Sequence, residues 1–350
     1  MKIRIVDIAK KAEVSVGTVD RYIHKRGKVS QKAAEKIQVA IKELGYEPDI
    51  MARNLALKKE HKIACLIPAP DEIIYWERPD SGINKAISEL SSFKVIIDKF
   101  YFNARADSFK EISQQVLEKQ YDGIVYVPMF FDESLSFCKE LRNMNIPFIH
   151  LNIHHTETEP LAFIGQHAHS AGQVAASLCQ MALKTDQEIL ITYVSKEQHE
   201  FSHHEERIDG FMNFAWQNTF KPKIHHLTLK IEEEEKKYES ILLDFLNNNS
   251  QVQIIFVPNS RAYRIASILK KSQLPNKMII GFDTLDENVQ YLKEGMIDVL
   301  IGQQSKAQGY NAVMLMFNYL FKKVEVDGTH YLPIDILNRQ NIDFYEGLLK

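Results

Sequence analysis

From Lys62 to about Asn338 the chain alternates short apolar runs with amphipathic helical stretches, and no other feature limits its possible folds so strongly. Apolar runs predict strands over residues 63–68, 94–102, 123–128, 147–152, 161–164, 189–194, 225–229, 253–258, 278–283, 299–303 and 331–337. Apolar residues recurring three and four positions apart predict helices over 109–119, 134–143, 171–183, 238–247, 262–271 and 308–321. A helix between two strands returns the chain in the same direction, so this order gives parallel sheets flanked by helices. About 280 residues exceed a comfortable single open sheet. The expected body, residues 61–340, is therefore α/β with two Rossmann-like parallel-sheet lobes and a cleft between them.

The first sixty residues follow another pattern. Asp7-Ile8-Ala9-Lys10-Lys11-Ala12 reads as a short helix with Ile8, Ala9 and Ala12 on one side. Ser15 can cap a second helix by accepting an orphan amide hydrogen, and Val19, Tyr22 and Ile23 form its apolar face. Val16, Gly17, Asp20, Arg21 and His24 are left facing outward. Helix, tight turn, helix is the spacing of a DNA-reading motif whose second helix enters the major groove. Ser30 caps a third helix to about Leu44, with Ala34, Ile37, Ile41 and Leu44 on one stripe and Gly45 as its stop. Residues 1–47 thus form an all-α helix-turn-helix head. Residues 48–60 are a hinge helix and linker, with Pro48 suited to the helix start. So short a helix needs something to pack on, because nucleation is costly, and DNA or a second copy is expected to order it.

Charge divides along the same boundary. The formal net charge is −3, yet residues 1–60 hold fourteen Lys/Arg against eight Asp/Glu. A basic head on an acidic body places a polyanion at the N-terminal end only. The opening residues lack the apolar run of a secretory signal and no segment reaches eighteen apolar residues, so the expected compartment is the cytoplasm. Cys65, Cys138 and Cys179 sit in separate apolar segments, which predicts buried thiols. Neither the pairs His154-His155 and His203-His204 nor His167, His169 and His199 form a zinc-binding spacing, so no metal or cofactor is expected. The acidic residues 232–235 read as a solvated helix start.

Ligands of open α/β sheets collect beyond the carboxyl ends of the strands. Tyr75 and Trp76 follow the first strand and offer flat faces for a sugar ring. Asn152, Gln166, Asn259 with Ser260, Asp283 and Gln303 stand at other strand ends, and Arg207 begins a helix after another strand. Such groups suit polyhydroxyl recognition, since each hydroxyl both donates and accepts. A sugar-binding receptor without a DNA-binding role would share this body but not the basic head. A sugar-processing enzyme is the weaker alternative, for the chain has no G-x-S-x-G elbow, P-loop or G-x-G-x-x-G.

Val6-Asp7-Ile8-Ala9, Val14-Ser15 with Thr18-Val19 and Arg21, Lys28-Val29-Ser30, Ile41-Lys42-Glu43-Leu44-Gly45-Tyr46 with Pro48, and Ala52-Arg53-Asn54-Leu55 together resemble the lactose-repressor (LacI/GalR) family of bacterial transcription regulators. Asp20 and His24 stand where that family usually has serine and asparagine. The resemblance implies that Val16, Gly17 and Arg21, following the Ser15 cap, read bases. Arg21 can pair bidentately with guanine and Val16 can meet a thymine methyl. Thr18, Lys2, Arg4, Lys25 and Lys28 are implied phosphate contacts, which position without reading sequence. In the implied hinge helix, Leu55 is the minor-groove wedge, with Ala52 and Arg53 beside it.

Tyr75-Trp76 before Gly82, Ile146-Pro147 leading to Asn152, Arg207 before Gly210-Phe211, Asn259, Gly281-Phe282-Asp283, and Gln303 before Gly309 are similar to the periplasmic ribose-binding-like sugar receptors. That similarity implies effector contacts from Tyr75, Trp76, Asn152, Arg207, Asn259, Asp283 and Gln303, with Asn152 where an aspartate is usual. Both resemblances imply a homodimeric transcription regulator whose affinity for a near-palindromic operator is controlled allosterically by a sugar or sugar derivative.

Overall fold

The computed structural model describes residues 3–23, 27–45, 60–195, 202–217, 221–230, 235–272, 274, 277–326 and 328–348. The chain divides into two compact units, 1–59 and 60–350.

In the first unit, α1 (Ile5–Ala12), α2 (Val16–Ile23) and α3 (Gln31–Leu44) follow their capping residues. The Asp7 carboxylate accepts the Arg4 amide at 2.8 Å, and α1 stops where Glu13 turns left-handed at φ 54°. The Ser15 hydroxyl accepts the Thr18 amide at 3.1 Å and starts α2. Ser30 accepts the Ala33 amide, and Gly45, at φ 61°, ends α3. Ile8, Ala9, Ala12, Val19, Ile37 and Ala40 form the small core. Ala40 was not on the expected α3 stripe; it is buried while Ala34, Ile41 and Leu44 are half-buried, because α3 turns its Ile37 side squarely onto α1. Lys2, His24, Lys25 and the hinge segment with Ala52, Arg53 and Leu55 lie outside the described residues.

The second unit contains two six-stranded sheets. In chain order the strands are β1 (His61–Pro68), β2 (Val95–Phe102), β3 (Gly123–Tyr126), β4 (Phe148–Leu151), β5 (Ala162–Gly165), β6 (Glu188–Ser195), β7 (Ile224–Lys230), β8 (Val252–Phe256), β9 (Met278–Phe282), β10 (Val299–Gly302), β11 (Thr329–Tyr331) and β12 (Asp335–Leu337). The first lobe's sheet has order β11-β5-β4-β3-β1-β2 and is parallel throughout. The second has order β12-β10-β9-β8-β6-β7, parallel except for β12 against β10. The central strands are buried on both faces, which is why their sequences are nearly continuous in Val, Ile, Leu and Phe.

The single strand expected over 331–337 is in fact two, β11 in one lobe and β12 in the other. Pro333 lies between them, without the N–H that a continuing ladder requires. This segment is one of three passages between the lobes; the others run from β5 into helix Ala168–Ala182 and from β10 into helix Ser305–Phe317.

Each lobe is braced by two helices that cross at reciprocal glycines. In the first lobe a Cβ on Gly82 would stand 1.9 Å from the Lys306 carbonyl oxygen, and one on Gly309 would stand 2.1 Å from that of Pro79. The second lobe repeats this: Gly172 faces the Arg207 carbonyl and Gly210 the His169 carbonyl, both at 1.9 Å. No other residue permits such backbone approach, so helices Glu77–Leu90 with Ser305–Phe317, and Ala168–Ala182 with Ser202–Gln217, are locked in pairs.

Candidate functional site

The seven side chains expected at the cleft converge on one cavity of about 110 Å³ between the lobes. The lobes contribute to it in matching ways. Asn152 follows β4, the fourth strand of the first lobe, and Asp283 follows β9, the fourth of the second. Both adopt left-handed backbone, φ 68° and 69°. Both amides reach across to the neighbouring strand, Asn152 to the Ile164 carbonyl at 2.7 Å and Asp283 to that of Ile301 at 3.0 Å. Asn and Asp tolerate this conformation better than other side-chain-bearing residues.

From the first lobe, Tyr75 and Trp76 form a short 3₁₀ turn with their rings at 89° and 5.2 Å apart. The Asn152 amide nitrogen donates to the Tyr75 hydroxyl and to Gln308 Oε1, both at 2.9 Å, which fixes its orientation. From the second lobe, Arg207 lies flat over Phe282 at 3.9 Å and donates to the Pro258 carbonyl at 2.7 Å. Its Nε is buried without a hydrogen-bond partner among the described residues. Asn259 donates to the Val194 carbonyl at 3.1 Å, and Gln303 donates to Asp283 Oδ1 at 2.7 Å.

Asp283 is 4% exposed. Burial pushes its carboxyl up to about 6, against the opposing pull of Arg207 and of the Gln303 hydrogen bond. Burial likewise lowers Arg207, which Asp283 partly offsets. Tyr75 is raised by burial and then by the charge of Asp283, so its hydroxyl stays protonated. The cavity therefore offers a guanidinium, a carboxylate, amides and a phenol beside aromatic faces. Those groups can bind a compact polar molecule with hydroxyls on several sides.

Ile73, Met129, Ile153, His204 and Arg261 also line the cavity and were not anticipated; Ser260, expected beside Asn259 at its strand end, lines it too, and Arg207 stands inside helix Ser202–Gln217 and does not begin it. His204 lies three residues before Arg207 on the same helix and so shares its face, and Arg261 closes the turn that Asn259 opens. Those two carried a signal; the three apolar loop residues carried none. Gln166 departs from the other strand-end residues. Its amide nitrogen donates to the Gly302 and Pro333 carbonyls, at 2.9 and 3.2 Å, and so ties the three passages together outside this cavity. Across the front, the Arg78 guanidinium donates to the Thr284 carbonyl and to Asp286 at 3.1 Å, joining lobe to lobe.

In the first unit, Val16, Gly17 and Arg21 form an exposed ridge on α2, with Ser15, Arg4 and Lys28 exposed and Thr18 half-buried. Arg21 Nε donates to the Gly17 carbonyl at 3.1 Å, so the side chain lies back along the helix. A Cβ on Gly17 would meet only the Ser15 hydroxyl at 4.0 Å. The glycine thus leaves open space on the helix surface and is not demanded by the backbone.

Residues 4–49 match the family model of bacterial regulatory proteins of the lacI family, and residues 63–323 match that of the periplasmic binding protein domain. A protein from Bacteroides fragilis described as a LacI transcriptional regulator has a solved structure that is 30% identical, with a TM-score of 0.76, over 82% of this chain and 100% of that one. The chain belongs to the lacI family. Among curated lacI-type relatives, the ribose operon repressor of Halalkalibacterium halodurans is 31% identical over 45% of each chain. Catabolite control protein A of Staphylococcus aureus is 31% identical over 41% of this chain and 42% of its own. The matched stretch spans less than half the length of these curated relatives. A glucose-galactose binding protein of Geobacillus stearothermophilus, 20% identical with a TM-score of 0.67 over 81% of this chain and 99% of its own, shares the two-lobed fold.

Proposed function

We propose that this lacI-family chain is a sequence-specific DNA-binding transcription regulator whose operator affinity is set by a small sugar or sugar derivative held between the lobes. One observation carries the reading: a lacI head and a cleft lined from both lobes by paired polar side chains occur in one chain. Arg21, Val16 and Gly17 read bases, with Ser15 capping their helix, while Thr18, Arg4, Lys28, Lys2 and Lys25 hold phosphates. Ala52, Arg53 and Leu55 belong to a hinge helix in the minor groove. Tyr75, Trp76, Asn152, Arg207, Asn259, Asp283 and Gln303 hold the effector. The domain plan is residues 1–47 for DNA, 48–60 for the hinge and 61–340 for the effector and dimerisation.

The protein acts as a homodimer in the cytoplasm, because one small head cannot make enough contacts and two can read a near-palindrome. No helix among the described residues is long and apolar enough to cross a membrane. The cleft is a binding site and not a catalytic one. Asp283 is the only carboxylate among its described lining residues, whereas glycoside hydrolysis ordinarily uses two. Ligand acts by population shift, favouring one degree of lobe closure and with it one arrangement of the two heads.

A thermal-shift screen of the full chain against mono- and disaccharides, followed by selection of bound duplexes from a random pool with and without the stabilising sugar, tests this. The expected result is a near-palindromic site whose retention changes when the sugar is added. Selection that enriches no sequence would overturn the regulator reading.

A further inference from the structure

A second cavity, of about 370 Å³, lies between the lobes and shares no lining residue with the first. Its walls come from the loop after β4, from the passages at Gln166 and Tyr331, and from Glu206 on helix Ser202–Gln217.

Its polar groups are mostly acceptors. Gln166 is 4% exposed. Because its nitrogen is committed to the Gly302 and Pro333 carbonyls, the amide cannot turn over, and Oε1 is left as a buried acceptor with no partner among the described residues. With its proton on Nε2, His154 offers a second buried acceptor at Nδ1, which has no hydrogen-bond partner there. His155 donates from Nε2 to the Pro128 carbonyl at 2.8 Å, so its Nδ1 is bare. Burial holds both histidines below their usual pKa, as neutral rings. Two carboxylates, Glu157 and Glu206, join them, and no lysine or arginine is among the described lining residues. Aromatic faces complete the lining: His154 stacks on Phe163 at 4.8 Å, and Tyr331 meets His167 at 5.0 Å.

Buried acceptors, carboxylates and ring faces without a cation form the complement of a positively charged N–H donor. We infer that this cavity is a second ligand site and that it takes a small organic ammonium ion. The ammonium hydrogens meet Gln166 Oε1 and His154 Nδ1, Glu206 balances the charge, and the methylenes lie against Tyr331 and Phe163. The nitrogen end of the Gln166 amide already joins the passages, so an occupant held by its oxygen end and by Glu206 spans both lobes. It therefore biases lobe closure from a site separate from the first cavity.

Calorimetric titration of the full chain with 1,4-diaminobutane, matched in ionic strength, tests the assignment, with 1,4-butanediol as the neutral isostere. Saturable binding of one diamine per chain is expected, without binding of the diol. Glu206→Gln, an exposed position, is expected to weaken the diamine at least about fivefold, the loss of one charge-assisted hydrogen bond, while Asp283→Asn leaves it unchanged. Absence of saturable heat, equal binding of the diol, or a Glu206→Gln chain that binds as wild type would overturn it. Loss of diamine binding in Asp283→Asn would place the amine in the first cavity and overturn it equally.

Discussion

Asp283→Asn is expected to make the protein more stable and less responsive at once. The carboxyl titrates at about 6 in the folded chain against an ordinary value of 3.8. A difference of roughly two units at about 1.4 kcal/mol each amounts to about 3 kcal/mol. The folded state binds this proton more tightly than the unfolded state, so this group's contribution to stability is greatest below about pH 4 and declines as pH rises toward 6. Above that the whole penalty is present. Asparagine cannot ionise and can still meet Gln303, so the variant is expected to exceed wild type by up to about 3 kcal/mol near pH 7.5 and to match it near pH 4. Urea unfolding of the ligand-free chains at both pH values measures this through the transition midpoints, provided the slopes agree. A midpoint difference that is zero near pH 7.5, or that does not shrink at pH 4, would refute the argument that burial controls this carboxyl. The same variant is expected to lose its response to the sugar while keeping its DNA affinity without ligand.

Gly172→Ala puts a methyl 1.9 Å from the Arg207 carbonyl and must spread the two helices; a loss of about 1–3 kcal/mol in thermal stability and weaker sugar binding are expected, with unliganded DNA affinity preserved. Sugar titrations that match wild type would show that Arg207 is not positioned by that crossing. Arg21→Ala is expected to cost about 1–3 kcal/mol at the selected site and to blur one base position, whereas Lys28→Ala weakens all sequences alike and lowers the salt slope by about 0.9. Equal losses on selected and random DNA for Arg21→Ala would remove its base-reading role.

The α/β body was legible because buried parallel strands must be apolar on both faces, and the runs at 63–68, 189–194 and 278–283 show it plainly. The cleft was legible for a related reason: a strand end is where a buried segment gives way to polar side chains, as at Asn152, Asp283 and Gln303. Helix Glu77–Leu90 was not among the expected helices although Ile83, Ala86 and Leu90 lie on one side of it at helical spacing; Pro79 and Gly82, ordinarily helix breakers, mask that stripe, and here they sit in the first turn and at the crossing with helix Ser305–Phe317. The division of 331–337 between two sheets was hidden as well, since a short apolar run does not say which neighbour its hydrogen bonds will find. Gln166 shows the opposite failure: correctly marked as a polar strand end, it serves the passages between the lobes and the second cavity, not the first.

Helices that touch backbone to backbone cannot slide, so each lobe behaves as a plate with a welded corner. A ligand held between such plates would have little freedom to be absorbed by local rearrangement, because the cavity's Arg207 contributes the carbonyl against which Gly172 rests, and Gln308, which orients the cavity's Asn152, stands beside Gly309. Any rotation of one plate against the other has to run through the three passages at Gln166, Gln303 and Pro333, which the Gln166 amide fastens into one axle.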